Sequence, residues 1–211
     1  MDRRRFLTTS GALACGFTGT ASFLTLPVTV GAAAATEQGP NVLGPREGYS
    51  PNVGTLVSML NGMRNKILQP VKGLTVAQLD YLHDAKANSI GALLLHLAAI
   101  ERLYQVHTFE GKKWGDVKKE TEKEWGVAAQ LGKEAQKIIK GHELAYYLDK
   151  LKEVRQQTLA ELQKRDDAWL MRVDSESGDD PTNNYCMWFH VCEHESHHNG
   201  QITWLKGRLP A

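Results

Sequence analysis

The chain has 211 residues, with 25 lysines and arginines against 24 aspartates and glutamates and a formal net charge of +1 at pH 7. This near-neutral balance gives no indication of nucleic acid or of an anionic membrane surface as a partner. Hydrophobic residues make up 42% of the chain, which at this length is enough for one domain with a substantial core.

The first 35 residues read as an export signal. Residues 3–7 (R-R-R-F-L) match the twin-arginine pattern, a weakly apolar stretch follows to about Val30, and Ala33 and Ala35 form a small-residue cleavage site. We therefore predict a cleaved twin-arginine signal over residues 1–35, a periplasmic or other extracytoplasmic location, and no stable membrane association after cleavage. The alternatives are an uncleaved N-terminal anchor or a lipoprotein attached at Cys15.

Residues 36–49 are rich in glycine, proline and polar side chains and predict an extended lead-in to a domain over residues 50–211. Ser50 followed by Pro51 is typical of a helix start, and apolar residues then recur every three or four positions. Pro70 and Gly73 predict the end of this first long helix. A short helical turn follows over residues 75–82.

Three further amphipathic segments predict long helices over about residues 90–109, 142–164 and 184–207, the first of them capped by Asn88 or Ser89. No segment with strand periodicity competes. Four long amphipathic helices in one domain predict an all-α fold, a four-helix bundle.

Residues 111–141 are highly charged and contain Trp114 and Trp125. Two interpretations fit this composition. The favoured one is a solvated loop with a short helix and two packing tryptophans, and the other is a lid over a functional site.

Four of the eight histidines lie within residues 190–198. On a helix, His190, His194 and His198 occupy one face, but His190 and His198 are about 12 Å apart along the axis and do not both reach one ion. The pair of ligands is therefore either His190 with His194 or His194 with His198. His96 on the second long helix supplies a third imidazole, and three ligands with open positions are typical of a catalytic metal site.

Residues 194–202 (H-E-S-H-H-N-G-Q-I) resemble the H-x-x-H-H-R-G-Q-I signature of DinB-like four-helix proteins, with Asn199 in place of the arginine. Residues 73–80 and 89–101 are similar to the first two helices of that family, and the resemblance extends over about residues 53–209. The resemblance implies a divalent metal bound by His96, His194 and His198. It also implies a possible homodimer.

Three neutral histidines with an open face suit Zn, Ni, Mn or Fe, and their spacing does not choose among these ions. A metal-bound water has a lowered pKa, so we predict a metal-dependent hydrolase that acts on a small-molecule substrate. Glu195 and His190 are the predicted catalytic residues, which orient a ligand or move a proton. The alternatives for them are a solvent-facing glutamate and a packed or surface histidine.

Two other functions fit the same site. One is a non-catalytic metal-binding or stress-associated protein, and the other is a thiol-dependent S-transferase or isomerase, as in relatives of this fold. The export pattern argues against the thiol branch, because small thiols are mainly cytosolic.

Two further expectations concern residues close to the histidines. Cys192 is expected to be a small buried residue rather than a reactive thiolate, and its helical spacing from Cys186 argues against a disulfide between them. Gln201, one turn after His198, either bonds that histidine or satisfies a core polar group.

Overall fold

The computed structural model describes residues 39, 41–174 and 181–210. The predicted signal peptide over residues 1–35 lies outside these residues, so it stays a prediction. Among the helices that the structure describes, none has both the length and the apolar character to cross a bilayer.

The described residues form eight helices and one pair of very short strands. In chain order they are α1 (Pro51–Val71), α2 (Val76–Leu79), α3 (Ile90–Thr108), α4 (Lys119–Gln130), α5 (Gly132–Ile138), α6 (Leu144–Leu162), α7 (Asp167–Met171), β1 (Val173–Asp174), β2 (Thr182–Asn183) and α8 (Asn184–Lys206). The two strands pair antiparallel and Val173 lies opposite Asn183. This strand pair was not predicted.

The four long helices α1, α3, α6 and α8 form the bundle, which confirms the predicted all-α fold. Helix α8 packs against α1 and α3, and α3 packs against α6, whereas α1 and α6 make the fewest contacts of the four neighbouring pairs. Helices α3 and α8 run antiparallel, because His96 contacts His198 while Thr108, further along α3, bonds Trp188 near the start of α8.

Side-chain caps start the helices that carry the histidines. The Ser89 hydroxyl accepts a hydrogen bond from the backbone nitrogen of Ala92, and the Asn183 side chain accepts one from that of Cys186. These bonds satisfy amide groups that a helix start leaves without partners. The starts of α3 and α8 are thus marked by local side-chain bonds.

The interior divides into two hydrophobic clusters. One contains Ile67, Leu94, Leu151 and Ile202, and the other contains Leu56, Leu162 and Trp188 with their neighbours. Along each long helix, one charged residue lies at the boundary between the two clusters. These four residues prove to contact one another.

The segment over residues 111–141 differs from its favoured prediction. It forms α4 and α5 rather than a mainly solvated loop with one short helix, and α4 packs along α3. Trp125 on α4 is 5% exposed, whereas Trp114, which precedes α4, is 50% exposed. The high charge of α4 misled the prediction because its acidic and basic residues cover an outward face while Trp125, Gly126 and Ala128 turn inward.

Candidate metal site

Three histidines from α3 and α8 converge at the middle of the cleft between these helices. The Nε2 atom of His194 lies 3.1 Å from the Nε2 of His96 and 3.0 Å from the Nε2 of His198. One ligand atom from each of the three residues falls within a 4.8 Å span. We call these residues the histidine triad.

The second ring nitrogen of two triad members has a fixed partner. His96 Nδ1 donates to the backbone oxygen of Ala128 on α4 at 2.8 Å, and His198 Nδ1 donates to Gln201 Oε1 at 3.0 Å. The Gln201 amide nitrogen in turn lies 3.0 Å from His197 Nε2. Because a neutral imidazole carries one proton, these bonds leave the Nε2 lone pairs of His96 and His198 aimed at the centre of the triad.

Burial keeps the triad uncharged. Desolvation, followed by repulsion from His198 and His96, lowers the pKa of His194 to about 3. Desolvation and repulsion from His96 lower the pKa of His198 to about 4. Burial also lowers the pKa of His96, against the opposing effect of its bonds to backbone oxygens. All three rings are therefore neutral near pH 7.

Three neutral rings in this arrangement fit a cation. His194 has at most one proton on Nε2 and can donate it to only one neighbour, so at least one of the two close N···N contacts has no proton between its nitrogens. A metal ion removes this conflict by accepting all three lone pairs. Around a tetrahedral ion with bonds of about 2.05 Å, ligand nitrogens lie roughly 3.3 Å apart, close to the 3.1 and 3.0 Å that separate His194 Nε2 from its two neighbours.

His190 lies one helical turn from His194, outside the triad. Its ring centroid is 6.0 Å from that of His194, and the ring stacks on Tyr104 at 5.9 Å. Its side chain is 51% exposed and its Nδ1 lies 3.4 Å from Glu193 Oε2. Of the two ligand pairs left open by the helical spacing, the structure brings together His194 and His198. A catalytic role for His190 stays a prediction.

Glu195 is neither solvent-facing nor bonded to a triad histidine. It is 2% exposed, and its Oε1 accepts hydrogen bonds from Arg64 at 2.6 and 2.9 Å and from Arg155 at 2.9 Å. Its Oε2 is buried and has no hydrogen-bond partner among the residues that the structure describes. The predicted catalytic role of Glu195 is untested, and its contacts place it in a cluster of charges beside the triad.

That cluster, here called the ion quartet, takes one residue from each long helix: Arg64 on α1, Glu101 on α3, Arg155 on α6 and Glu195 on α8. Arg64 and Arg155 both bond Glu101, at 2.7 Å for the shortest contact of each. Each arginine also donates to a backbone oxygen across the α1–α6 gap, Arg64 to Leu151 and Arg155 to Leu60, both at 2.7 Å.

Sequence reasoning missed the ion quartet and the backbone contact of Ala128. The signal for the quartet was a charged residue within an otherwise apolar helical stripe, as with Arg64 between Leu60 and Ile67. For Ala128 the sequence offered no signal, because any residue presents the same backbone oxygen.

The two residues beside the triad behave as follows. Cys192 is buried, and desolvation raises the pKa of its thiol to about 12, so the expectation of an unreactive buried thiol is met. Cys186 and Cys192 are both free. Gln201 bonds a triad histidine, which was one of its two expected roles.

A cavity of about 530 Å³ opens between the start of α3 and the end of α8. Gln201 and His197 line it together with Trp204, Leu93 and Lys86. The cavity therefore lies next to Gln201, which accepts a hydrogen bond from His198.

Comparison with known proteins identifies the family. A comparison with curated proteins found no match. A family model described as mycothiol-S-transferase matches residues 55–210, a range that contains the triad, the ion quartet and the bundle from the second turn of α1 onward. The chain therefore belongs to the mycothiol-S-transferase family, a DinB-like family.

Proposed function

We propose that this protein is a metal-dependent S-transferase, which joins a small thiol to an electrophilic small molecule at the histidine triad. The observation that carries the proposal is the convergence of three neutral imidazoles, with the Nε2 of His194 3.1 Å from that of His96 and 3.0 Å from that of His198. The match to the mycothiol-S-transferase family supports a thiol as the nucleophile. A divalent ion, when bound, lowers the pKa of a thiol or a water molecule beside it.

The residues of the chain hold and orient this centre. His96, His194 and His198 would be the ligands, and the bonds of His96 to Ala128 and of His198 to Gln201 keep the two outer rings in the tautomer that binds metal. In the transfer itself the thiol loses its proton, a sulfur–carbon bond forms and the leaving group departs with its electron pair. His190, exposed beside His194, is the predicted residue for moving that proton.

Metal-assisted hydrolysis is the second candidate, and the twin-arginine pattern at residues 3–7 favours it. An exported protein would meet few small thiols, and a water molecule would then take the place of the thiol at the triad. Export itself is part of this second proposal. The two candidates share the metal site and differ in the nucleophile.

The first experiment measures metal content by elemental mass spectrometry on the untagged full chain, beside His194→Ala and the control His83→Ala, which changes an exposed histidine away from the triad. We expect about one divalent ion per chain in the wild type and the control and a loss of the ion in His194→Ala. Absence of metal from the wild type after reconstitution with Zn, Ni, Mn and Fe would refute the metal site.

The second experiment separates the nucleophiles. The metal-loaded protein is given 1-chloro-2,4-dinitrobenzene with mycothiol, cysteine or glutathione, and in parallel 4-nitrophenyl acetate without any thiol. Thiol-dependent release of chloride that His194→Ala abolishes supports the transferase. Ester hydrolysis that needs the triad, without thiol transfer, would replace that proposal by the hydrolase.

A further inference from the structure

A row of aromatic rings leads away from the triad along the α3–α8 cleft. From His194 the ring of His190 lies at 6.0 Å, then Tyr104 at 5.9 Å, Trp114 at 4.9 Å and His107 at 4.3 Å, each distance measured between the centroids of successive rings. We call the last four residues the aromatic row. Its first member touches a triad histidine, so the row and the triad are continuous.

The row is well exposed for a set of aromatic side chains. The Trp114 residue is 50% exposed and the His190 side chain is 51% exposed. The loop that carries Trp114 is fixed to the end of α3, because His107 Nδ1 donates to the backbone oxygen of Lys112 at 2.6 Å and the Lys112 nitrogen donates to Val106 at 3.3 Å. The rings are thus held in place although solvent reaches them.

We propose that the aromatic row is the subsite for the electrophile and that it selects flat aromatic molecules. Aromatic groups gain energy from offset or edge contacts with other rings at centroid separations of 4.5–7 Å, a range that a ligand on this row can adopt. An elongated ligand lying on the row has one edge beside His194. Its reacting carbon is then held where the thiol is activated, which lowers the entropic part of the barrier.

A small molecule fits the row better than a second copy of the chain does. Stable protein interfaces bury about 800 Å² on each partner, whereas the row offers only a few half-exposed rings. Its direct continuity with the triad also ties it to the reaction rather than to assembly. The inference rests on the proposed transferase function, of which it specifies the second substrate.

The reaction of a test electrophile shows which part of that molecule the aromatic row would have to hold in position. With 1-chloro-2,4-dinitrobenzene the sulfur bonds the ring carbon that carries chlorine, the carbon–chlorine bond breaks, chloride leaves with the electron pair and the thiol proton passes to the buffer. The flat ring is the part that the row holds. Iodoacetamide reacts with the same thiol by displacement of iodide but has no ring.

The first test uses binding alone, so it does not depend on transferase activity. Equilibrium dialysis measures the Kd of 1,3-dinitrobenzene, which lacks a leaving group, for the metal-loaded wild type, Trp114→Ala, Trp114→Phe and the control Trp204→Ala. Trp204 is a comparably exposed tryptophan at 46%, but it lies at the opposite end of the cleft.

We expect the Kd to rise about threefold to tenfold in Trp114→Ala, the range that one aromatic contact contributes. It should stay within about twofold of the wild type in Trp114→Phe and in Trp204→Ala. Unchanged binding in Trp114→Ala would overturn the inference. So would a wild-type dimer that becomes a monomer in Trp114→Ala, because the row would then be a subunit interface.

The second test uses transfer with mycothiol. In Trp114→Ala the KM for 1-chloro-2,4-dinitrobenzene should rise about threefold to tenfold while kcat/KM for iodoacetamide stays unchanged. An equal loss with both electrophiles would indicate a general structural role and overturn the inference. Absence of transfer with every thiol would refute the proposed function, and the dialysis result would still decide whether the row binds aromatic rings.

Discussion

The histidine triad and the ion quartet lie side by side in the same bundle, but their buried polar atoms differ in whether they find partners within the chain. In the quartet, two arginines and two carboxylates neutralise one another, and three of the four carboxylate oxygens accept hydrogen bonds from arginine or threonine. In the triad, three neutral nitrogens face one another and at least one close contact lacks a proton. The charges of the quartet are balanced by groups within the chain, whereas the three nitrogens of the triad fit a cation supplied from outside.

This difference distinguishes buried polar groups that stabilise the fold from those that can bind a ligand. Removal of one partner from a buried ion cluster lowers the free energy of unfolding strongly, because it leaves another charge buried without compensation. Substitution of a residue in a buried site with converging lone pairs lowers the stability of the fold less. The same substitution abolishes ligand binding. The variants below test this contrast.

The largest effect is expected for Arg155→Met. This change leaves Glu101 and Glu195 to share the single charge of Arg64, and we expect the free energy of unfolding to fall by about 3–5 kcal/mol. Urea denaturation of the metal-free protein measures it. The control is Arg102→Met, which breaks a partly exposed ion pair with Glu110 and should cost no more than about 1 kcal/mol. Equal losses in both variants would contradict a special role for the quartet.

The next largest effect is the loss of folding stability at acid pH. Burial raises the pKa of Glu101, but the charges of Arg155 and Arg64 outweigh burial and lower this pKa from 4.5 to about 2. The ionised carboxylate therefore stabilises the fold fully above pH 4.5, and this stability, about 3 kcal/mol, is lost as the pH falls from 4.5 through 2.

Urea titrations at a series of pH values between 5 and 2 measure this loss. Glu101→Gln should be less stable than the wild type at pH 6 but should lack the part of the acid slope that Glu101 contributes. A slope between pH 4.5 and 2 that is identical in the wild type and in the variant would refute the assignment.

A smaller effect is expected for Gln201→Leu, which removes the acceptor of His198 Nδ1. The ring then loses its fixed tautomer, and the affinity for the metal should fall about tenfold to a hundredfold. Competition with a chromogenic chelator measures the change. Gln69→Leu, at an exposed glutamine on α1, is the matched control and should bind metal as the wild type does. Stability in urea without metal should differ little between the two variants.

A further prediction concerns the pH dependence of stability that the metal-free triad contributes. The folded pKa of His194 is lowered from 6.5 to about 3, so the unfolded chain binds more protons in this interval and stability declines as the pH falls from 6.5 towards 3. His194→Ala should flatten this decline, whereas the control His83→Ala should leave it as in the wild type. Thermal unfolding in the presence of a chelator provides the measurement. A steeper decline in His194→Ala would show that the assigned sign is wrong.

The sequence predicted the parts of the fold that depend on local patterns. Ser50 with Pro51, Ser89 and the apolar residues at three- and four-residue spacing place the long helices to within a few residues of their observed ends. The four-residue spacing of His194 and His198 likewise follows from helix geometry alone. What it left open was which pair of histidines meets His96, because that depends on the register between α3 and α8.

The remaining features depend on contacts between distant residues. The sequence around Arg64 and Arg155 gives no indication of their partners, which lie 87 and 95 residues away. Their hydrogen bonds nevertheless join α1 to α6. The inward turn of Glu195 follows from those same arginines. The row from His190 to His107 depends on how the loop after α3 folds back, and Trp114 alone gave no indication of it.

The separation of the triad members along the chain has a consequence for biosynthesis. His96 and His194 are 98 residues apart, and the second of them lies on the last helix of the bundle. While the ribosome still holds the final helix, a nascent chain has one member of the triad and half of the quartet's carboxylates. A cation that needs all three ligands can therefore bind only after α8 has been made and has packed against α3.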